Sequence, residues 1–220
     1  MSIEENIQEV EKRISRACEK AGRSRDEVTL VVVTKTIAPA QIEAAFHAGI
    51  RHFGENRIQE AVAKLPLLGN LDPRPTWHMV GHLQTNKAKT ALELFDIIHS
   101  VDSVRLAEAL SRRAERAIPI MLEVNIASEE SKFGFAEEEL ASAIKQLSHL
   151  PNLEIKGLMT IAPLVEDQEE VRPVFRRLRQ LGDSLGLEQL SMGMTDDFEV
   201  AIEEGATMVR IGRAIFGSRQ

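Results

Sequence analysis

The sequence predicts an α/β protein whose residues 1–220 form one domain, a (β/α)8 barrel with an extra N-terminal helix. Eight short apolar segments, each a candidate strand, alternate with longer segments of helical periodicity. This alternation favours right-handed β–α–β connections and a parallel sheet, and eight strands is the number that closes a barrel. The alternative is an open doubly wound sheet. It is disfavoured because no Gly-x-Gly-x-x-Gly motif follows the first strand.

The predicted elements follow one another with short connections. The first is a helix over residues 2–20, indicated by apolar residues three and four positions apart: Ile3, Ile7, Val10, Ile14 and Cys18. The predicted strands are 28–34, 51–56, 76–81, 97–102, 118–125, 153–161, 189–193 and 207–212. The helices between them are 39–48, 58–65, 86–95, 104–117, 137–150, 169–185 and 196–204. We expect Cys18 to lie in the core.

Composition excludes several classes of protein. A net charge of −7 argues against nucleic-acid binding, and the arginines of segment 172–179 are predicted to lie on the solvated face of a helix. The chain has no apolar run near the roughly 18 residues that a membrane span needs. It starts without a signal-peptide pattern, and its single cysteine cannot form an internal disulfide. We therefore expect a cytoplasmic protein.

The first strand ends in a lysine. Lys35 follows the apolar run 28–34, and removing an ammonium group from water without a partner is costly. A lysine in this position therefore has an anionic partner, a lowered pKa or a covalent bond to a carbonyl carbon, which is Schiff-base chemistry. The alternative is that the side chain of Lys35 extends past the strand end to the surface.

The last two strands are followed by candidate anion-binding loops. A barrel places its chemistry at the C-terminal ends of the strands, and the loops after strands seven and eight commonly hold a phosphate. Here those loops are 193–197, with the hydroxyl of Thr195, and 212–217, with Arg213. Glycine and aspartate are also ordinary residues at a strand-to-helix turn, so each loop alone is a weak signal.

Strand alternation predicts an arginine inside the barrel. Arg210 shares a face of strand eight with Met208 and Gly212, and this face points inward if Lys35 faces the mouth. An interior arginine needs an acceptor, which is either the carboxylate of Glu123 or the ring nitrogen of a ligand. A lysine, an interior arginine and a phosphate site together describe a site for pyridoxal 5′-phosphate (PLP).

Several long motifs carry a family resemblance. They lie at residues 33–36 (VTKT), 53–57 (FGENR), 77–87 (WHMVGHLQTNK), 131–135 (SKFGF), 157–160 (GLMT), 190–197 (LSMGMTDD) and 209–217 (VRIGRAIFG). With these motifs the chain resembles the pyridoxal phosphate homeostasis protein family, which is similar to the barrel domain of alanine racemases, the fold-type III PLP proteins. One departure is Gly-Met-Thr at 193–195 where the family usually shows Gly-Met-Ser, which keeps the hydroxyl.

The resemblance implies a role for each site residue. It implies that Lys35 forms the Schiff base with PLP, that Arg210 faces the pyridine nitrogen and that Asn56 lies beside the ring. It also implies a group of phosphate contacts: Ser191, Met194, Thr195, Gly212 and Arg213. No metal site is expected.

Two main functions stay open at this point. The favoured one is a non-catalytic PLP carrier or regulator in vitamin B6 homeostasis, with apo forms of PLP-dependent enzymes as partners. An arginine at the pyridine nitrogen makes PLP a poor electron sink, and the chain has no tyrosine to act as a second base. The alternative is a PLP-dependent racemase or related enzyme using one of three histidines: His78, His82 or His99. A third reading is a barrel isomerase that binds a sugar phosphate without PLP.

Two further expectations concern assembly and transfer. The family resemblance suggests a monomer, and the sequence has no coiled-coil seam. Lys132 follows strand five and is predicted to lie at the same mouth as Lys35, where its amine could receive PLP during transfer. The alternative for Lys132 is an ordinary solvated loop residue.

Overall fold

The computed structural model describes residues 2–127 and 133–217. Eight parallel strands pair in chain order, and the last strand pairs with the first to close the barrel. They are β1 (Thr29–Val33), β2 (His52–Glu55), β3 (Thr76–Met79), β4 (Ile97–Val101), β5 (Ile118–Glu123), β6 (Leu153–Met159), β7 (Gln189–Ser191) and β8 (Met208–Ile211). The predicted (β/α)8 barrel is confirmed, and the open doubly wound sheet is excluded.

Helices connect the strands on the outside of the barrel. They are α1 (Ile3–Lys20), α2 (Pro39–His47), α3 (Ile58–Lys64), α4 (Ala88–Leu94), α5 (Val104–Ser111), α6 (Glu137–Leu147), α7 (Arg172–Leu185), α8 (Phe198–Glu203) and α9 (Arg213–Phe216). The predicted helix 104–117 is too long, because the chain leaves the helix in a turn after Ser111 to reach β5. The short helix α9 was not predicted, because its four residues are too few for a periodic pattern.

The extra helix α1 begins at a capping box. The Ser2 hydroxyl accepts a hydrogen bond from the Glu5 backbone N–H, and the Glu5 carboxylate accepts one from the Ser2 N–H. The apolar stripe of α1 packs against α2, α8 and α9, and Cys18 is buried as predicted. Arg13 holds α1 to α8 through a bidentate ion pair with Glu199. The helix therefore covers the outside of the barrel next to β1 and β8.

The barrel encloses a small apolar cluster of its own. Met121, Met159 and Met208 form a buried group that is separate from the main core between the sheet and the helices. Since Met208 and Arg210 lie two positions apart on β8, they point to the same side of the sheet. The predicted inward direction of Arg210 is confirmed, since this shared side is the interior of the barrel.

The arginine-rich segment of α7 is neutralised by acidic neighbours. Arg172 pairs with Glu203 at 2.8 Å and with Glu204 at 3.1 Å, and Arg176 pairs with Glu204 at 2.8 Å. Such pairs neutralise much of the positive charge of this segment, and the absence of nucleic-acid binding stays a prediction. Among the helices that the structure describes, none is long and apolar enough to cross a membrane.

Candidate functional site

Lys35 lies in a turn directly after β1, half-buried at the C-terminal end of the barrel. The preceding residue, Thr34, is fully buried and is held by two side chains. Its hydroxyl donates to Glu55 Oε1 at 2.6 Å, and its carbonyl oxygen accepts from Lys64 Nζ at 2.8 Å. Lys64 Nζ also pairs with Glu55 Oε1 at 2.8 Å. This buried ion pair therefore fixes the end of the strand that carries Lys35.

The residue after Lys35 is held as well. Thr36 has a φ of 63°, in the left-handed region that is uncommon for a β-branched residue. Its backbone N–H donates to Glu60 Oε2 at 2.8 Å. Since α3 supplies both Glu60 and Lys64, one helix holds the backbone on each side of Lys35. Strain maintained in this way is typical of functional sites.

Asn56 follows β2 and packs tightly against Gly81, in the loop after β3. A Cβ atom added to Gly81 would lie 2.2 Å from the carbonyl oxygen of Asn56, so a glycine is required there. Asn56 Oδ1 is buried and has no hydrogen-bond partner among the residues that the structure describes. Such an orphaned acceptor is costly and marks a place where a ligand donor would be stabilising.

Arg210 lies inside the barrel and is almost fully buried. Its Nη1 donates to Ser191 Oγ at 2.6 Å and its Nη2 donates to the Thr160 carbonyl oxygen at 2.8 Å. Burial lowers the pKa of Arg210 to about 10, while the carboxylates of Asp197 and Glu123 act in the opposite direction. Arg210 therefore stays charged at neutral pH. Its direct acceptors among the described residues are Ser191 and Thr160, so Glu123 acts from a longer distance.

The loops after β7 and β8 lie side by side. The Arg210 backbone N–H donates to the Gly193 carbonyl oxygen at 2.9 Å, and Arg213 forms an ion pair with Asp196. Gly193 has a φ of 91°, and a Cβ atom there would lie 2.6 Å from Ala201 Cβ. The structure therefore brings together four of the predicted phosphate contacts, which are at least partly exposed: Met194, Thr195, Gly212 and Arg213.

The loop after β8 also touches the strand of the lysine. A Cβ atom on Gly212 would lie 3.0 Å from the Val33 carbonyl oxygen, and Val31 is the register partner of Arg210. The backbone between Val33 and Lys35 is therefore adjacent to the backbone between Arg210 and Arg213. Lys35, the interior arginine and the two candidate phosphate loops belong to one site at the barrel mouth.

A row of buried polar side chains runs through the barrel interior. It joins His52 Nδ1 to His78 Nε2 at 3.1 Å, His78 Nδ1 to His99 Nε2 at 2.8 Å, and His99 Nδ1 to Ser191 Oγ at 2.8 Å. Ser191 then accepts from Arg210. Ser191, which the resemblance implies as a phosphate contact, is thus fully buried in the interior row.

Burial makes the histidines of this row weak bases. It lowers the pKa of His78 to about 3, assisted by the nearby His52, and it holds the pKa of His99 well below its ordinary value. The pKa of His52 is lowered by burial too. The sequence singled out His78 and His99 only as candidate bases, and it gave no signal for the row. Strand alternation places these side chains inside, but their mutual distances depend on the stagger of the closed barrel.

Two carboxylates, Glu123 at the end of β5 and Asp102 after β4, lie near the mouth of the barrel. Burial raises the pKa of Glu123 to about 7, Asp102 acts in the same direction and Arg210 in the opposite one. Asp102 also pairs with His82 Nδ1 at 3.0 Å, and the His82 ring stacks on Phe133 with 3.7 Å between centroids. The third candidate base, His82, is therefore positioned by a carboxylate on the rim of the site.

The site combines cationic donors with an acceptor, Asn56 Oδ1, that has no partner in the described part of the chain. Arg210 and the two glycine-containing loops favour an anionic or aromatic-nitrogen ligand, and Lys35 supplies an amine at the same mouth. Lys132, predicted as a second amine at this mouth, lies outside the described residues. Within residues 2–127 and 133–217, no group of three His, Cys, Asp or Glu side chains is arranged to hold a metal ion.

Comparison with known sequences finds similarity over almost the whole chain. Residues 3–220 match the family model of the alanine racemase N-terminal domain. The chain is 43% identical to the pyridoxal phosphate homeostasis protein of Aquifex aeolicus, with all of both chains covered. It is 39% identical to the protein of that name from Escherichia coli K12, covering 99% of this chain and 97% of the other.

Solved structures extend the likeness to the fold. PipY of Synechococcus elongatus with PLP bound superimposes with a TM-score of 0.82 at 40% identity, covering 93% of this chain and all of PipY. The alanine racemase of Corynebacterium glutamicum superimposes with a TM-score of 0.66 at 18% identity, covering 96% of this chain and 60% of the racemase. The second likeness concerns the fold alone.

Proposed function

The chain belongs to the pyridoxal phosphate homeostasis protein family, and from this we propose that it binds PLP as a Schiff base on Lys35 and maintains the supply of that cofactor. One observation carries the proposal for the site. Lys35 follows β1 and the interior Arg210 lies on the neighbouring strand β8, with Val31 of β1 as the register partner of Arg210. The PLP bound by PipY, a relative at 40% identity, supports the same ligand here.

The residues present fit this ligand. When bound, PLP supplies an aldehyde for a lysine amine and an electron-accepting ring. Arg210 uses two N–H groups on Ser191 and Thr160 and would direct others at the pyridine nitrogen. Asn56 Oδ1, buried without a partner among the described residues, would accept a hydrogen bond beside the ring. An unpaired acceptor and an interior cation are both stabilised by a polar ligand.

The phosphate group would be held by the adjoining loops after β7 and β8. The proposed contacts are Met194 and Thr195 from one loop and Gly212 and Arg213 from the other. Arg213 pairs with the exposed Asp196, so its charge can be shared with an incoming phosphate. Thr195 would donate its hydroxyl proton, which is the role expected of the serine usual in the family. Ser191 is treated in the next subsection.

We propose further that the chain is a carrier without turnover of its own. Arg210 stays protonated and would leave the pyridine nitrogen unprotonated, which weakens the electron sink. His78 and His99 are hydrogen-bonded within the buried row and have strongly lowered pKa values, so they are poor proton acceptors at neutral pH. Incubating the PLP-loaded protein with L-alanine and analysing the product by chiral chromatography tests this. Formation of D-alanine would favour the racemase alternative.

Transfer to other proteins completes the proposed function. We expect the loaded chain to donate PLP to apo forms of PLP-dependent enzymes and to do so as a monomer in the cytoplasm. The test is the recovery of activity by an apo-aminotransferase mixed with the loaded protein. A matched mixture contains free PLP at the same concentration. Recovery faster than the measured rate of spontaneous PLP release would support direct transfer, and recovery limited by that rate would support simple buffering.

A further inference from the structure

The hydrogen bonds of the buried row must run in a defined direction, because each contact contains one hydrogen, which belongs to one of its two atoms. We call this direction the proton order of the row. It contains three ring-to-ring or ring-to-hydroxyl contacts of 2.8–3.1 Å between His52, His78, His99 and Ser191. A neutral imidazole donates from one nitrogen and accepts at the other. The direction of one hydrogen bond therefore dictates the direction of the next. Only two orders keep every contact satisfied along the row.

The histidines must be neutral for such an order to exist. His78 and His99 are both fully buried, and burial lowers the pKa of each far below neutral pH. Arg210 at the end of the row is charged and disfavours a second cation beside it. A charged histidine would also donate from both nitrogens, so the hydrogen bonds of the row would no longer run in one direction.

Ser191 decides between the two orders. Arg210 Nη1 can only donate to Ser191 Oγ, and the hydroxyl has a single proton. In the first order Ser191 gives that proton to His99 Nδ1, so His99 donates from Nε2 to His78, and His78 donates from Nε2 to His52. Every polar atom along the row then has a partner. His52 is half-exposed, so the remaining proton at its far nitrogen can reach solvent.

The second order is unfavourable. His99 would donate from Nδ1 to Ser191 Oγ. The Ser191 oxygen would then accept two hydrogen bonds, from His99 and Arg210, and its own proton would need a third partner. Ser191 is fully buried, and its two hydroxyl contacts among the described residues are already His99 and Arg210. A buried hydroxyl proton without an acceptor is destabilising, and only a ligand oxygen reaching Ser191 could remove that cost.

We propose that His78 and His99 are positioning residues for Arg210, acting through Ser191 in the first order, with the Ser191 proton given to His99 and none to the ligand. The row then holds Ser191 Oγ as a fixed acceptor for Arg210, which would leave other N–H groups of the arginine available to the ring nitrogen of PLP. The inference rests on the proposed function of Arg210. It gives Ser191 a task other than the phosphate contact that the resemblance implies.

The test is the tautomer of each buried histidine, read by two-bond proton–nitrogen NMR on protein labelled with ¹⁵N-histidine. We expect pyrrole-type Nε2 and imine-type Nδ1 signals for His78 and His99, both without ligand and after loading with PLP. A proton on Nδ1 of either residue in the loaded protein would overturn the proposal, because Ser191 would then be free to donate to the phosphate. Charged rings would overturn it too. The spectrum of the ligand-free protein tests the proton order of the row even if the chain binds no PLP.

Variants at increasing distance from Arg210 provide a second readout. We expect Ser191→Ala to raise the rate of PLP dissociation roughly tenfold, on the scale of a lost hydrogen bond to a charged group, and to move the absorption band of the lysine adduct. His78→Phe, three contacts from Arg210, should raise the rate of PLP dissociation severalfold and mix the His99 tautomers. The matched control is Ser100→Ala, which removes a buried hydroxyl without a partner among the described residues.

The pattern of PLP dissociation rates distinguishes an effect that acts through the row from a direct contact between Ser191 and the ligand. A change in Ser191→Ala together with an unchanged His78→Phe would mean that Ser191 touches the ligand itself, and the proposal would be wrong. A change in Ser100→Ala equal to that in Ser191→Ala would attribute the effect to packing. If His78→Phe does not fold, the tautomers of the unmodified protein still decide. Absence of any PLP adduct in the unmodified protein contradicts the proposed function, not the proton order.

Discussion

Replacing Lys64 with methionine should destabilise the fold and loosen the site at the same time. Lys64 Nζ lies 2.8 Å from Glu55 Oε1 and 2.8 Å from the Thr34 carbonyl oxygen, and Glu55 is fully buried. Methionine keeps an unbranched, slightly shorter side chain but removes the charge. The Glu55 carboxylate would then be buried with the Thr34 hydroxyl as its remaining described partner.

The size of the effect follows from the uncompensated charge. Removing one partner of a buried ion pair costs about 3–5 kcal/mol, and we expect a loss in this range for Lys64→Met. The double variant Lys64→Met with Glu55→Gln carries no buried charge and should recover most of that loss. The assay is urea unfolding followed by circular dichroism, with the free energy obtained by linear extrapolation. PLP retention should also fall, because Thr34 immediately precedes Lys35.

A control at an exposed pair isolates the effect of burial. Lys89 lies 4.0 Å from Glu93, and both side chains are mostly exposed, so Lys89→Met should change the unfolding free energy by less than about 1 kcal/mol. A loss of under about 1 kcal/mol in Lys64→Met as well would refute the reasoning, since it would mean that the Glu55 carboxylate is tolerated in the core without a cation.

Three further changes test the site. Lys35→Ala should abolish the absorption band of the PLP adduct while its thermal unfolding stays cooperative, and an unchanged band would place the adduct elsewhere. Thr195→Ala should weaken PLP retention roughly fivefold, on the scale of one hydrogen bond, whereas unaltered retention would exclude Thr195 as a contact. The raised pKa of Glu123 means that its neutral form stabilises the fold below the ordinary pKa of 4.5, and this stability is lost as the pH rises through about 7. Glu123→Gln should therefore gain up to about 3 kcal/mol over the unmodified protein between pH 5 and pH 8 in urea unfolding, and parallel pH profiles would contradict the assignment.

Local sequence signals predicted the architecture because each element has its own periodicity. The β-branched run of β1, the stripe of α1 and the glycine turns after β7 and β8 all lie where the sequence placed them. Alternation along β8, together with the assumption that Lys35 faces the mouth, placed Arg210 inside the barrel. Helix ends were predicted less well, since tertiary connections decide where α5 ends.

Contacts between distant strands could not be predicted in the same way. The contacts from His52 to Ser191 depend on the relative register of the four strands that carry these residues. A shift of any of these strands by one residue would turn its side chain out of the barrel. The pairing of Lys64 with Glu55 likewise depends on how α3 packs over β2. Lys64 lies in an amphipathic segment, where a lysine is normally solvated, so the local pattern does not indicate that its amine is buried.

The most direct measurement of the central claim is to locate the PLP adduct on the chain. The protein is loaded with PLP, reduced with borohydride to make the adduct permanent, digested and mapped by mass spectrometry. A Lys35→Ala sample is treated in parallel. We expect one dominant modified peptide, with the added mass on Lys35, and no equivalent modification in the variant. Labelling spread over surface lysines, or a dominant adduct on another lysine in both samples, would contradict the assignment of Lys35 as the residue that binds PLP.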